Sequence, residues 1–336
     1  MRIGLHIGPQ NEFVAPERVL SFVRRAEDLG FDPITFADSV SLSRFYIRDP
    51  YVYLALVAGA TRKATIGTCV TNPLTRHLSV TANAIASIDD LCPGRTVLGI
   101  GTGDTAVHLV GQERARLAPM RQALRVLRAL LDGSPFEHAG TRLASNWRKP
   151  GLPIYLAAGG PKALALGGEL ADGVITLTGL DADVLAWVRA CIGEGEVRAG
   201  RSPGSTPIWV DGLVSVGSDR ETTRDAIRPR IASLANQNFR VAYHGVPETR
   251  LAEVHAFREA YDETDLGPNS RNGRLVTDYI LDRFGIIGTP ADVVARFEVL
   301  AEQGVRTFVI AQPFAQAERD KVLETVGREV IPRVGG

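Results

Sequence analysis

Cysteine and lysine are scarce in this chain, net charge is absent, and no long apolar run occurs. Only three of its 336 residues are cysteine (Cys69, Cys92, Cys191), and none sits in a C-x-x-C pair. An odd count excludes an all-paired disulfide framework and suits a reducing compartment. Basic and acidic side chains balance at 38 each. The basic excess that nucleic acid or an anionic membrane surface demands is therefore missing. No apolar stretch nears the roughly 18 residues of a membrane span. The opening residues, Met1 to Gly8, lack the basic-then-apolar order of a secretion signal. The expectation is a cytoplasmic protein with no nucleic-acid and no membrane partner. Lysine is limited to Lys63, Lys149, Lys162 and Lys321 against 34 arginines. Those arginines are scattered and matched by acids, so they read as compositional bias rather than as a phosphate-binding surface. The six histidines show no H-x-x-x-H or H-x-H spacing, and neither a Walker A loop nor a G-x-S-x-G elbow occurs. No metal site is expected, and NTP chemistry and serine-nucleophile hydrolysis are disfavoured.

What is present is alternation. At 45% hydrophobic the chain can bury a large core. Short β-branched runs at Ile3–Ile7, Pro33–Ala37, Thr65–Val70, Arg95–Gly101, Pro153–Ala158, Gly173–Leu177, Ile208–Val216 and Arg306–Ile310 read as strands. Amphipathic stretches lie between them. In Pro16–Leu29, Val19, Leu20, Val23, Ala26 and Leu29 recur at helical spacing and Gly30 stops the run. Proline opens two further helices, Pro50–Thr61 and Pro161–Leu170. Eight strands alternating with helices predict an α/β fold, a closed (β/α)8 TIM-like barrel, with a doubly wound open sheet as the other arrangement of such units. Residues 1–336 read as one domain. A long unit separates strands seven and eight, and an insertion of about residues 236–272 reads as a lid or subunit-contact element.

Active sites of such barrels gather at the C-terminal strand ends. After strand one stand Gly8, Pro9, Gln10, Asn11 and Glu12; after strand two, Asp38; after strand four, Gly99-Ile100-Gly101-Thr102-Gly103-Asp104; after strand five, Ala158-Gly159-Gly160-Pro161. The last of these joins a strand to a helix that starts at proline. Glycines there allow close backbone approach, and the helix N-terminus suits an anion; a plain tight turn uses the same residues. The Gly99-x-Gly101-x-Gly103 run lacks the G-x-G-x-x-G spacing of a dinucleotide fingerprint. Asp38, Glu12 and His6, the last inside strand one, are candidate proton-handling groups.

Gly67-Thr68-Cys69-Val70-Thr71-Asn72-Pro73-Leu74-Thr75-Arg76-His77 resembles the third-strand signature of the bacterial luciferase-like superfamily. Gly94 to Asp104, Pro153 to Pro161, Ala171-Asp172-Gly173-Val174 and Gly285 to Pro290 extend the likeness over nearly the whole chain. They are most similar to coenzyme F420-dependent methylenetetrahydromethanopterin reductases. The resemblance implies a flavin or deazaflavin at the top of the barrel and a non-prolyl cis peptide at Cys69–Val70 behind its ring. It implies cofactor contacts from Asp38, Cys69, Val70, Thr71, Gly101, Thr102, Gly103, Asp104, Ala158, Gly159 and Gly160. Glu12, His6 and Asp38 then become candidate proton donors. Ser39 stands where those relatives carry His, and His6 where the reductases carry Glu, so a different acceptor from the pterin is expected. The implied activity is F420-dependent hydride transfer to or from a small organic substrate, by a homodimer. The alternative is an FMN-dependent monooxygenase that takes reduced flavin from a partner reductase and uses O2.

Overall fold

Residues that alternate along a parallel strand face opposite ways. In this chain one way leads under a ring of helices and the other into the barrel. The computed structural model describes residues 1–8, 15–39, 49–138, 140–240, 243–311, 313 and 316–335. Its strands are β1 (Arg2–Ile7), β2 (Ile34–Phe36), β3 (Ile66–Thr71), β4 (Thr96–Ile100), β5 (Phe136–His138), β6 (Thr141–Leu143), β7 (Ile154–Ala157), β8 (Gly173–Thr176), β9 (Ile208–Val216), β10 (Gly285–Gly288) and β11 (Thr307–Ala311). Parallel pairing runs β1-β2-β3-β4-β7-β8-β9-β11 and returns to β1, so eight strands close a barrel, as the alternation predicts. β9 is long enough to pair with β8 through Ile208–Val210 and with the short β10 through Leu213–Val216. β5 and β6 form a small antiparallel hairpin outside the barrel.

The outward faces of the strands carry Ile3, Leu5, Ile7, Ile34, Ile66, Leu98, Ile100, Ile154, Leu156, Val174 and Val210. These pack beneath the helices in one continuous apolar layer. The inward faces hold a much smaller apolar plug of Val97, Tyr155, Ile175, Trp209 and Val309. The Tyr155 and Trp209 rings meet with centroids 4.6 Å apart. Their bulk explains Gly173, where a Cβ would lie 2.4 Å from the Tyr155 ring.

Helices begin where the chain supplies a start. Pro16, Pro50, Pro161 and Pro290 each occupy a first turn. Asp49 caps the helix Pro50–Ala60, and Thr289 and Asp292 form a capping box on Pro290–Glu302. Between β9 and β11 the chain makes the helices Arg220–Phe239, Glu248–Ala260, Asp278–Phe284 and Pro290–Glu302, with β10 and a 3-10 turn, Arg271–Leu275, among them. The residues 236–272 span the last turn of the first of these helices, all of the second and the start of the 3-10 turn. This segment has its own apolar cluster of Ile231, Phe239, Val254, Phe257, Ile280 and Phe284. Arg283, 1% exposed, ties it down by donating to the carbonyls of His244 (2.8 Å) and Gly245 (3.0 Å) and to the Tyr279 hydroxyl (2.9 Å). Among the described residues no helix is long and apolar enough to cross a membrane.

Candidate active site

The C-terminal mouth of the barrel opens into a cavity of about 980 Å3. Its floor is built from the inward faces of alternate strands: His6 on β1, Cys69 on β3, Ala157 on β7 and Asp211 on β9 all line it. A layer of four side chains from alternate strands is how such barrels fill their interior. Here three of the four are polar. His6 Nδ1 lies 3.8 Å from Asp211 Oδ2. His6 Nε2 and Asp211 Oδ1 are buried atoms with no hydrogen-bond partner among the described residues. Burial pushes the Cys69 thiol far up, and the nearby Asp211 carboxylate pushes it further. The Cys69 side chain is therefore a neutral thiol rather than a nucleophile. The Cys69–Val70 peptide bond is cis, as the resemblance implies. Val70 also lines the cavity.

The walls come from loops. Ala158, Gly159 and Gly160 run from β7 into the N-terminus of the helix Pro161–Leu170. A Cβ on Gly159 would touch nothing nearer than 3.8 Å, so that glycine leaves room against the cavity. Gly101 closes β4, and a Cβ there would press on Val70 at 3.1 Å. Gly103 has φ +87°, a left-handed turn residue. It leads to Asp104, whose carboxylate accepts from Arg240 Nη2 at 3.0 Å and lies 3.7 Å from His108. Thr102 lines the cavity beside them. The Gly101–Asp104 turn is thereby fastened to the end of the helix Arg220–Phe239. The rim also carries cations: Ala115 N donates to the Thr102 carbonyl at 2.8 Å, and Arg114 and Arg116 on either side of it, with Lys162, line the cavity, are exposed, and make no ion pair among the described residues.

Asp38 sits elsewhere. It is 8% exposed and accepts from the Thr71 hydroxyl at 2.7 Å and from Arg76 Nε at 3.5 Å. Arg76 in turn donates to Asp49 at 2.6 Å. Burial raises the Asp38 carboxyl above its ordinary value, outweighing Thr71 and Arg76, which both lower it. Neither Asp38 nor Thr71 is among the residues that line the cavity. Glu12 lies outside the described residues.

The sequence-predicted residues His6, Cys69, Val70, Thr102, Ala158, Gly159 and Gly160 thus meet around one cavity, and Gly101, Gly103 and Asp104 shape its edge. Asp211, Arg240, Arg114, Arg116 and Lys162 went unpredicted. Asp211 had a visible signal, a lone acid inside the otherwise apolar run Ile208–Val216. The three rim cations had none, because they stand on connecting loops or a helix start and look like any surface charge.

A closed parallel barrel with a polar, cation-rimmed mouth of this size is the architecture of a barrel enzyme. The chain belongs to the luciferase-like monooxygenase family, whose model matches residues 1–307. It is 31% identical to a 5,10-methylenetetrahydromethanopterin reductase of Archaeoglobus fulgidus, over 99% of this chain and all of that protein. It is 26% identical to an F420-dependent glucose-6-phosphate dehydrogenase of Beutenbergia cavernae, over 96% of this chain and 95% of that one. Its fold is similar to the F420-dependent tetrahydromethanopterin reductase of Methanopyrus kandleri, with TM-score 0.81, 25% identity and 99% of both chains covered. An FMN-bound Baeyer–Villiger monooxygenase component from Pseudomonas putida shares the fold at TM-score 0.70 and 17% identity, over 99% of this chain and 98% of that one.

Proposed function

We propose that this protein is an F420-dependent oxidoreductase that passes a hydride between the deazaflavin and a small organic substrate. The observation that carries the reading is the cavity itself. One space of about 980 Å3 joins the cis Cys69–Val70 step, the Gly159–Gly160 approach to a helix N-terminus and three cations that make no ion pair among the described residues. A planar apolar ring with an acidic tail suits those three features in turn. When bound, the deazaflavin supplies two-electron hydride exchange at a ring carbon and reacts poorly with oxygen.

The chain's own residues divide the work. Val70 and the cis step back the ring, and Gly101 leaves the room that a Cβ would take. The backbone N–H groups at the start of the helix Pro161–Leu170, with Lys162, Arg114 and Arg116, hold acidic groups of the tail. Asp104 and Arg240 fix the turn that borders the cavity. His6, on the floor, donates the proton that accompanies hydride transfer. Asp38 keeps Thr71 and Arg76 in place behind the third strand.

The whole chain, residues 1–336, serves this one site in the cytoplasm. A second copy of the chain is the proposed partner. The helix Pro50–Ala60 is apolar around its whole circumference, and Val52 (60% exposed) and Leu56 (40% exposed) stand on its outer side with Ala55 and Gly59. A homodimer would bury that stripe.

The test is a fluorescence titration of purified protein with F420 and, separately, with FMN in both redox states. The expected result is F420 binding at least tenfold tighter than either form of FMN. Tighter binding of reduced FMN would overturn the reading in favour of an oxygen-using monooxygenase.

A further inference from the structure

We propose that Asp211 is the positioning residue for His6. Across the barrel mouth it holds the imidazole by Nδ1 and so commits Nε2 to the substrate. The inference rests on the proposed function for its chemistry but not for its geometry.

His6 and Asp211 come from strands that do not touch, with β11 between them. They meet because both point inward on the same layer of the barrel. An imidazole on an inward face must find a partner or leave a buried nitrogen unpaired, which is costly. The floor offers it a thiol, Cys69, and a carboxylate, Asp211. Cys69 is a weak hydrogen-bonding group. The carboxylate is the strong acceptor, and one of its oxygens, Oδ1, has no hydrogen-bond partner among the described residues. The separation of 3.8 Å is longer than a hydrogen bond. Pairs of this kind often tighten only when the site is loaded.

The same three side chains offer nitrogen, sulfur and oxygen atoms within 4.8 Å of one another, a donor set that would suit zinc. A second charge argues for the proton site instead. Arg230, on the helix Arg220–Phe239, interacts with Asp211; burial lowers the guanidinium, and Asp211 opposes that shift. The Arg230 guanidinium and the carboxylate thus act on each other, and a bound metal would have to stand beside that arginine. Asp211 orients His6.

Bound in its reduced form, the deazaflavin would supply a hydride, a proton with two electrons, for a new C–H bond on the substrate. The N–H bond at His6 Nε2 breaks, and its proton joins the substrate atom that received the displaced electron pair. Imidazolium becomes imidazole, and water restores the proton. In the oxidative direction the same bonds form and break in reverse.

Nitrogen-15 NMR of histidine-labelled full-length protein in mildly alkaline buffer tests this, with His6→Gln identifying the His6 signals. The expected result is a proton on Nδ1 of His6 in the natural protein and in Asp211→Glu. In Asp211→Ala the ratio should shift at least about fivefold toward the Nε2–H form, the ratio that about 1 kcal/mol of lost hydrogen bond commands. Should Asp211→Ala fail to unfold cooperatively, Asp211→Asn takes its place, because its amide keeps the volume. An Nε2–H tautomer in the natural protein, or an unchanged ratio in the folded variant, would overturn the proposal. F420 titration of the same samples reads the proposed function separately. Loss of F420 binding by the natural protein with the tautomer result intact would sink the function and leave the pair standing.

Discussion

At the N-terminal end of the barrel, Glu27 reaches out from the helix Pro16–Asp28 and accepts from the backbone N–H groups of Arg62, Lys63 and Ala64 at 2.8–3.0 Å. Glu196 does the same from the helix Ala182–Arg198, accepting from Gly204 N at 2.6 Å and from Ser205 Oγ at 3.2 Å. Both carboxylates are almost wholly buried, and both clamp the loop that feeds a strand. Burial pushes each of them up, and the donors outweigh it, leaving both below the ordinary carboxylate range. At the C-terminal end the outcome is reversed. Asp38 is raised, and Asp104 Oδ1, Asp211 Oδ1 and His6 Nε2 are buried without a hydrogen-bond partner among the described residues. The two clamp carboxylates are satisfied by donors, whereas the acids and the imidazole at the mouth keep atoms unpaired. Native folds rarely leave buried polar atoms unpaired. A cluster of them at the end where parallel barrels do chemistry marks the place where a ligand completes the bonding.

That contrast can be broken in four ways, from the largest effect to the smallest. Replacing His6 by Gln should cut F420-linked turnover by about 100- to 10,000-fold, the usual range for a lost general acid. Urea unfolding of the variant should stay within about 1 kcal/mol of the natural protein, because the mouth contributes little to stability. A variant that unfolds early and loses turnover only in proportion would erase the contrast.

Glu27→Ala should do the opposite, lowering stability by about 1–3 kcal/mol with cofactor affinity unchanged. The pH dependence carries the sign. A carboxyl held below its ordinary value stabilises the fold above that value and stops doing so as pH falls through its folded titration. The stability gap between the natural protein and Glu27→Ala should therefore be full at neutral pH and close in acid. A gap that widens in acid would refute the clamp.

Removing Arg114, Arg116 or Lys162 one at a time should weaken F420 binding by up to about fivefold each at low ionic strength. The loss should shrink as salt screens the rim. Equal losses at low and high salt would mean that these residues act by packing. The smallest effect belongs to Asp38→Asn, worth less than about 1 kcal/mol. Because burial raises Asp38, its contribution to stability is greatest when it is protonated and falls as pH rises from the ordinary carboxylate value to the raised one. The Asn variant should lack that fall, and a chemical-denaturation series across the acid range reads it.

The legible parts of the fold were those with a local rule. The helix Pro161–Leu170 matches its reading end to end because proline starts it and Ala171-Asp172 leads straight into the next strand. Every barrel strand carries the β-branched run that the sequence shows. The hairpin β5–β6 escaped because its strands are three residues long and mostly polar or exposed. The helix Arg220–Phe239 escaped because Pro229 lies inside it and charged residues crowd its first half. β10 is four residues with glycine at both ends, too short for a period to appear.

The site divides in the same way. Glycines at strand ends and a polar strand-three motif were visible before any coordinate. The partnership of His6 with Asp211 was not, since 205 residues separate them and only barrel closure brings β1 and β9 to one floor. Asp38 shows the same limit. A strand-end acid looks poised for a ligand, and only the fold reveals that Thr71 and Arg76 engage it.

The central claim is that the mouth of this barrel runs deazaflavin hydride chemistry. Its most direct test is an anaerobic assay of reduced F420 oxidation by the purified protein against a panel of electrophilic alkenes, imines and ketones, with reduced FMN plus O2 run in parallel. Oxidation of reduced F420 in the absence of oxygen, matched mole for mole by a reduced substrate, is the predicted result. Turnover that needs reduced FMN and O2, with none supported by reduced F420, would contradict it.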